Sequence, residues 1–167
     1  MIRRSGLALC ALLAMLVLSA CSTQLALPKQ GQPLQDVELP LQLHLRYQEA
    51  ELQRDAIVVI QREAKTLRFS LFDALGVPQA RQIFNDGGWQ ADGLLPPNPQ
   101  ARQWFAGLLL ALTTDEHLQQ QYPSATVTAE QRTLANGWQV LSPAPKRWQI
   151  IFNPQQTVQV EQMEWQP

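Results

Sequence analysis

The sequence predicts an α+β domain: a curved antiparallel sheet, an incomplete β-barrel, with a helical lid. Three observations carry this. Strand patterns of period two fill the chain from Leu41 to about Trp89. At Asn98 the period switches to that of a helix. After Tyr122-Pro123 strand patterns resume and run to Trp165. Antiparallel strands with their helices gathered in one insertion form an α+β arrangement. A broadly apolar helix laid into the concave side of such a sheet gives a partly closed barrel.

Each element has a local reason. Leu41, Leu43, Leu45 and Tyr47 alternate with Gln42, His44, Arg46 and Gln48, the pattern of a half-buried strand. Ala56-Ile57-Val58-Val59-Ile60 is a β-branched run, read as a strand covered on both faces. Lys65 to Asp73 alternates again, with Leu67, Phe69 and Leu71 inside. Ala74-Leu75-Gly76-Val77-Pro78 reads as a turn, because Gly tolerates unusual dihedrals and Pro cannot donate to a ladder. Gln79 to Asn85 is a strand with Ile83 and Phe84; Asp86-Gly87-Gly88 turns into a short strand near Trp89.

Pro96-Pro97-Asn98-Pro99 ends the sheet. Asn98 suits an N-cap and Pro99 the first helical position. Trp104, Leu108 and Leu112 share a face with Phe105 and Leu109 beside them, an arc wider than a surface helix needs. Thr114 is read as the cap of a second short helix, with Asp115 and Glu116 where the helix dipole favours acids. The helical insertion spans about 98–122. Thr126 to Thr133 reads as one strand, Asn136-Gly137 as a hairpin turn, then Trp138–Leu141, Arg147–Phe152 and Thr157–Trp165 as strands. The domain is placed at 41–167.

Ahead of it, Met1-Ile2-Arg3-Arg4 and the apolar run Leu7–Leu18 read as a signal peptide over residues 1–20. The run is shorter than the ~20 apolar residues of a membrane span. Leu18-Ser19-Ala20-Cys21 resembles the lipobox of bacterial lipoproteins. That resemblance implies cleavage before Cys21, a diacylglycerol on its thiol and a palmitate-like chain on its amino group. Buried acyl chains, at about 0.8 kcal/mol per CH₂, then anchor the protein. Ser22, where an aspartate would imply inner-membrane retention, implies the periplasmic face of the outer membrane. Residues 21–40, with Pro28, Gly31, Pro33 and Pro40 and no periodicity, read as a flexible tether.

Composition narrows the function classes. With Arg3 and Arg4 removed, the 14 acidic residues outnumber the basic ones by three, and no basic stripe is present, so nucleic acid is not an expected partner. Cys10 leaves with the signal and Cys21 carries lipid, so no disulfide is expected. No Gly-x-Ser-x-Gly elbow surrounds any serine, and His44 and His117 read as surface residues. An enzyme, a metal site or a cofactor is therefore not expected.

Leu67 to Gly76, ending Ala74-Leu75-Gly76, resembles a strand and turn of the outer-membrane lipoprotein receptor of the Lol sorting system. Leu94-Leu95-Pro96-Pro97-Asn98, then Arg102-Gln103-Trp104 and Gly107-Leu108, resemble the start of that family's lid helix. Gly137-Trp138-Gln139-Val140 and the closing strand also fit. The chain is similar, more closely still, to lipoproteins encoded with aryl-polyene pigment synthesis genes. The chain is shorter than the Lol receptor, and its helix reads Gly107-Leu108-Leu109-Leu110 without the loop that follows in the receptor. The resemblance implies a LolA/LolB-like half-barrel with an apolar cavity for acyl chains beneath the helix. It also implies that Leu75, with Val77 beside it, contacts the membrane.

The expected lining of that cavity is Leu67, Phe69, Leu71, Phe84, Trp104, Leu108, Ile150 and Phe152. The expected ligand is a lipoprotein acyl chain or an aryl-polyene-type lipid, bound or transferred in the periplasm, with a periplasmic carrier protein as a further partner. A second reading is a scaffold lipoprotein that binds a protein through sheet edges and through Trp89 or Trp165. Arg81 and Arg102 read as solvated surface cations. What separates the readings is whether the space under the 98–112 helix is open or packed.

Overall fold

The computed structural model describes residues 25–29, 32–85 and 88–164; the expected signal peptide, Cys21 and Trp165 lie outside them. Ten strands form one antiparallel sheet. The first five are β1 (Leu41–Glu49), β2 (Leu52–Glu63), β3 (Thr66–Asp73), β4 (Pro78–Asn85) and β5 (Gly88–Ala91). Two helices follow, α1 (Pro99–Leu112) and α2 (Asp115–Gln121). The chain closes with β6 (Thr126–Val127), β7 (Gln131–Thr133), β8 (Gln139–Ala144), β9 (Arg147–Asn153) and β10 (Gln156–Gln162).

The strand order is β5-β4-β3-β2-β1-β10-β9-β8-β7-β6. Two meanders are thus joined at the middle by the β1–β10 pair, and the helices carry the chain from one edge to the other. The expected meander, helical insertion and second meander are all present. The edges β5 and β6 are four and two residues long, which limits the open ladder they offer to other chains.

The sheet must be rolled. The Trp89 ring on β5 lies 5.8 Å from Phe105 on α1. At the other flank Arg132, on β7, donates to carbonyls of the same helix, Leu110 at 3.0 Å and Thr113, just past its end, at 2.6 Å. In a flat sheet those strands are eight spacings of ~4.8 Å apart. A helix with its side chains is only about 10–12 Å across. One helix reaches both flanks only if the sheet curls around it. Ten residues of α1 are accordingly buried: Ala101 and the unbroken run Trp104–Leu112.

Local chemistry fits each helix end. The Asn98 carboxamide accepts from the Ala101 N–H at 3.0 Å and Pro99 opens α1, as expected. Thr114 precedes α2 but makes no side-chain cap bond; its hydroxyl lies 3.1 Å from His117 Nδ1. Arg132 takes the place of a C-cap for α1, satisfying carbonyls that a helix end leaves open.

Three expectations change. The β2 run is covered fully on one face only: Ala56, Val58 and Ile60 are buried, while Ile57 and Val59 are half-exposed on the outer face. A sheet wrapped around a single helix has no second layer to cover them. Thr126–Thr133 is a hairpin of two strands, broken at 128–130. The stretch 25–40 is not a free tether where it is described. Leu34 is 3% exposed within the core, and Arg62 donates to the carbonyls of Pro33 at 3.0 Å and Leu34 at 2.7 Å.

Gly107 sets how closely α1 approaches the sheet. A Cβ there would meet Phe152 at 2.8 Å and Ile150 at 3.1 Å. Alanine favours a helix over glycine by about 1 kcal/mol, but overpacking a core costs about 1–3 kcal/mol. Gly107→Ala is expected to lower stability in urea by about 1 kcal/mol or more. Phe152→Leu in that background should recover part of the loss; an unaltered midpoint for Gly107→Ala would contradict this packing.

Candidate functional site

The site is built at the end of the strands where β1 meets β2 and β3 meets β4. Gly76, at φ 81°, lets the β3–β4 turn close. Asp73 then locks it. Its Oδ1 accepts from the N–H groups of Leu75 and Val77, each at 2.9 Å, and its Oδ2 accepts from Gln79 Nε2 at 3.1 Å. The result is a rigid tip. Leu75 is 90% exposed and Val77 51% exposed on it. Leu52, the first residue of β2 just past the adjacent β1–β2 turn, is 58% exposed.

Between these two tips and the start of α1 lies a cleft of about 650 Å³, open on one side. Its floor is apolar, with Tyr47, Leu71 and Trp104; its walls are polar, with Glu49, Arg54, Asp55 and Gln79. Tyr47 and Trp104 pack with ring centroids 4.5 Å apart. Burial pushes the Tyr47 phenol up, and the Glu49 carboxylate adds to this. The Trp104 indole N–H is buried without a hydrogen-bond partner among the described residues.

The eight expected lining residues are all buried in one core. Only Leu71 and Trp104 also line the cleft. Leu67, Phe69, Phe84, Leu108, Ile150 and Phe152 do not line this cleft; they are buried around α1. The physical reason is that α1 itself fills the concave face. Phe69 packs on Phe105 at 5.1 Å between ring centroids, and the Gly107 backbone seats against Phe152. Trp89 is partly buried. It packs against Phe69, Phe84 and Phe105, and its indole nitrogen is buried.

Sequence reasoning missed several residues of consequence. Tyr47 was legible only as the inward position of a strand. Gln82 is buried and bridges to α1, donating to the Asn98 carbonyl at 3.3 Å and accepting from Arg102 Nε at 3.1 Å. Arg102 is thus engaged, and Arg81 pairs with Asp92 at 3.0 Å. No spacing rule marks a glutamine as such a bridge.

The histidines hold structure rather than each other. His44 lies 2.8 Å from Asp55, and His117 3.1 Å from Asp36. No group of three His, Cys, Asp or Glu side chains placed to hold a metal occurs among the described residues. No helix among them is long and apolar enough to cross a membrane. Neither a family model nor a curated protein matches the chain.

Asp55, on the cleft wall, is held below the usual carboxylate range by hydrogen bonds, chiefly from Arg46 and then from His44. A depressed carboxyl stabilises the fold above its ordinary pKa, and that contribution is lost as pH falls through the folded value. The Asp55 carboxyl is expected to titrate below 3.8 by NMR. Arg46→Gln should move its midpoint upward; an unmoved midpoint would show that the pair is not formed in solution.

Proposed function

We propose that this protein is an outer-membrane lipoprotein, anchored through Cys21, that engages a hydrophobic ligand at the rim of a LolA/LolB-like half-barrel. The ligand is an amphiphile, either a lipoprotein acyl chain or an aryl-polyene-type lipid. The observation that carries this reading is the apolar-floored cleft of about 650 Å³ beside the rigid, exposed Leu75 tip. Its size falls in the roughly 300–1,000 Å³ range of small-molecule sites. Apolar floor and polar walls suit a molecule with a tail and a head. Acyl burial alone supplies the driving force, about 0.8 kcal/mol per CH₂.

On this reading Tyr47, Leu71 and Trp104 receive the first part of the chain, and the unpartnered Trp104 N–H offers a donor to an ester or headgroup oxygen. The interior is packed, so deeper insertion requires α1 to move off the sheet. Its N-terminal half is the part to move: Arg132 clamps the C-terminal carbonyls, whereas the start is held through Gln82, the Asn98 cap and the Tyr47–Trp104 contact. Leu75 and Val77 bring the cleft to the bilayer surface.

The packed interior also favours the second reading, a scaffold lipoprotein with a protein partner. A fluorescent acyl probe separates the two. The carrier reading expects saturable binding, weakened about tenfold, or ~1.4 kcal/mol, by the cleft-filling change Gln79→Trp. Leu75→Glu should leave the melting temperature unchanged while reducing transfer to vesicles. Absence of probe binding would favour the scaffold.

A further inference from the structure

Where it is described, the segment 25–40 is docked against the domain at several points. Leu25, Ala26 and Leu27 pack on the core, beside Tyr122–Ser124 and the β7–β8 turn at Leu134–Asn136. The Lys29 N–H donates to the Gln121 carbonyl at 2.8 Å. Leu34 is buried with φ 57°, a left-handed conformation that a bulky residue holds only when its surroundings impose it. Arg62 supplies that hold through the Pro33 and Leu34 carbonyls, and Asp36 lies against His117.

The register of the ladders shows where this strap begins. Tyr47 on β1 stands opposite Val158, Val158 opposite Ile150, and Ile150 opposite Val140. The β1–β2, β3–β4, β7–β8 and β9–β10 turns therefore all lie at one end of the strands. Leu25 lies at that end, and so do Leu52, Leu75 and Val77. The turns at the two ends differ in charge, although the strand ends at the rim carry Glu49, Arg54 and Asp73. Between their strands, these four turns carry one charged residue, Glu51. The β2–β3, β6–β7 and β8–β9 turns at the other end carry Lys65, Glu130 and Lys146.

We propose that residues 25–40 are an orienting strap, and that the turn end bearing Leu52, Leu75 and Val77 rests on the same bilayer that holds Cys21. This rests on the lipid-anchor reading above. Cys21 is four residues from Leu25, a span of at most ~14 Å. Such a leash keeps the rim beside the bilayer surface and leaves the Lys65, Glu130 and Lys146 turns facing away. The protein then works on its own membrane, because a domain held this way cannot swing its cleft toward a second one.

The test uses the full lipidated chain in vesicles with nitroxide-labelled lipids. Single cysteines at Leu75→Cys and Lys65→Cys carry a fluorophore. Strong quenching at position 75 and little at position 65 is expected. Inserting a 15-residue Gly/Ser segment between residues 24 and 25 leaves the folded part untouched and should collapse that contrast. Two results would overturn the strap: equal quenching at the two positions, or a contrast that survives the insertion. A contrast present only with a periplasmic extract added would assign the rim to a protein partner instead. Mass spectrometry of the N-terminal peptide reads the anchor separately. An unlipidated Cys21 overturns the anchor reading, whereas a lipidated chain without contrast overturns only the strap.

Discussion

The structure depends on one helix being buried around nearly its whole circumference. A sheet of ten strands has far more apolar surface than it can hide alone, and a single face of α1 could not cover it. The sheet instead rolls until both flanks touch the same helix. That requires a helix apolar on all sides with one position lacking a side chain. Trp104–Leu112 meets the first condition and Gly107 the second. The helix ends are then the difficulty, since their open backbone groups are carried into the interior. Asn98 answers at one end and Arg132 at the other.

The same constraint moves the site. A helix buried in the curl of the sheet hides the apolar side chains of the concave face, so the accessible apolar surface lies at the rim, where α1 begins and two tight turns project. Rigidity there has a specific source. Asp73 ties down the N–H groups of Leu75 and Val77, so an exposed leucine is presented on a fixed frame rather than on a loose loop. Presenting it costs apolar exposure, and a tip that had to find its position on contact would lose ordering entropy as well.

Much of this was legible in the sequence. Period-two alternation placed β1 and β3 within a residue, and Asn98-Pro99 fixed the start of α1, because both rules are local. The exposed Leu75 pair followed from its turn chemistry. What escaped depended on distant partners. Periodicity distinguishes inward from outward but not core from cavity, so Phe69 and Phe152 look the same in either case. The stretch 25–40 has tether composition, yet Leu34 is buried because Arg62, 28 residues on, binds its carbonyl. Trp89, a contact residue only under the scaffold reading, is partly buried against Phe69, Phe84 and Phe105, which come from three other elements that no local rule links to it.

The proposed function requires the rim cleft to take an amphiphile. Native mass spectrometry of the protein drawn gently from its own membrane tests this most directly. The account predicts a population carrying one apolar ligand of defined mass, displaced by added fatty acid. A protein that flies empty and stays empty when fatty acid is added would contradict it, and would leave the rim as a surface for protein contact.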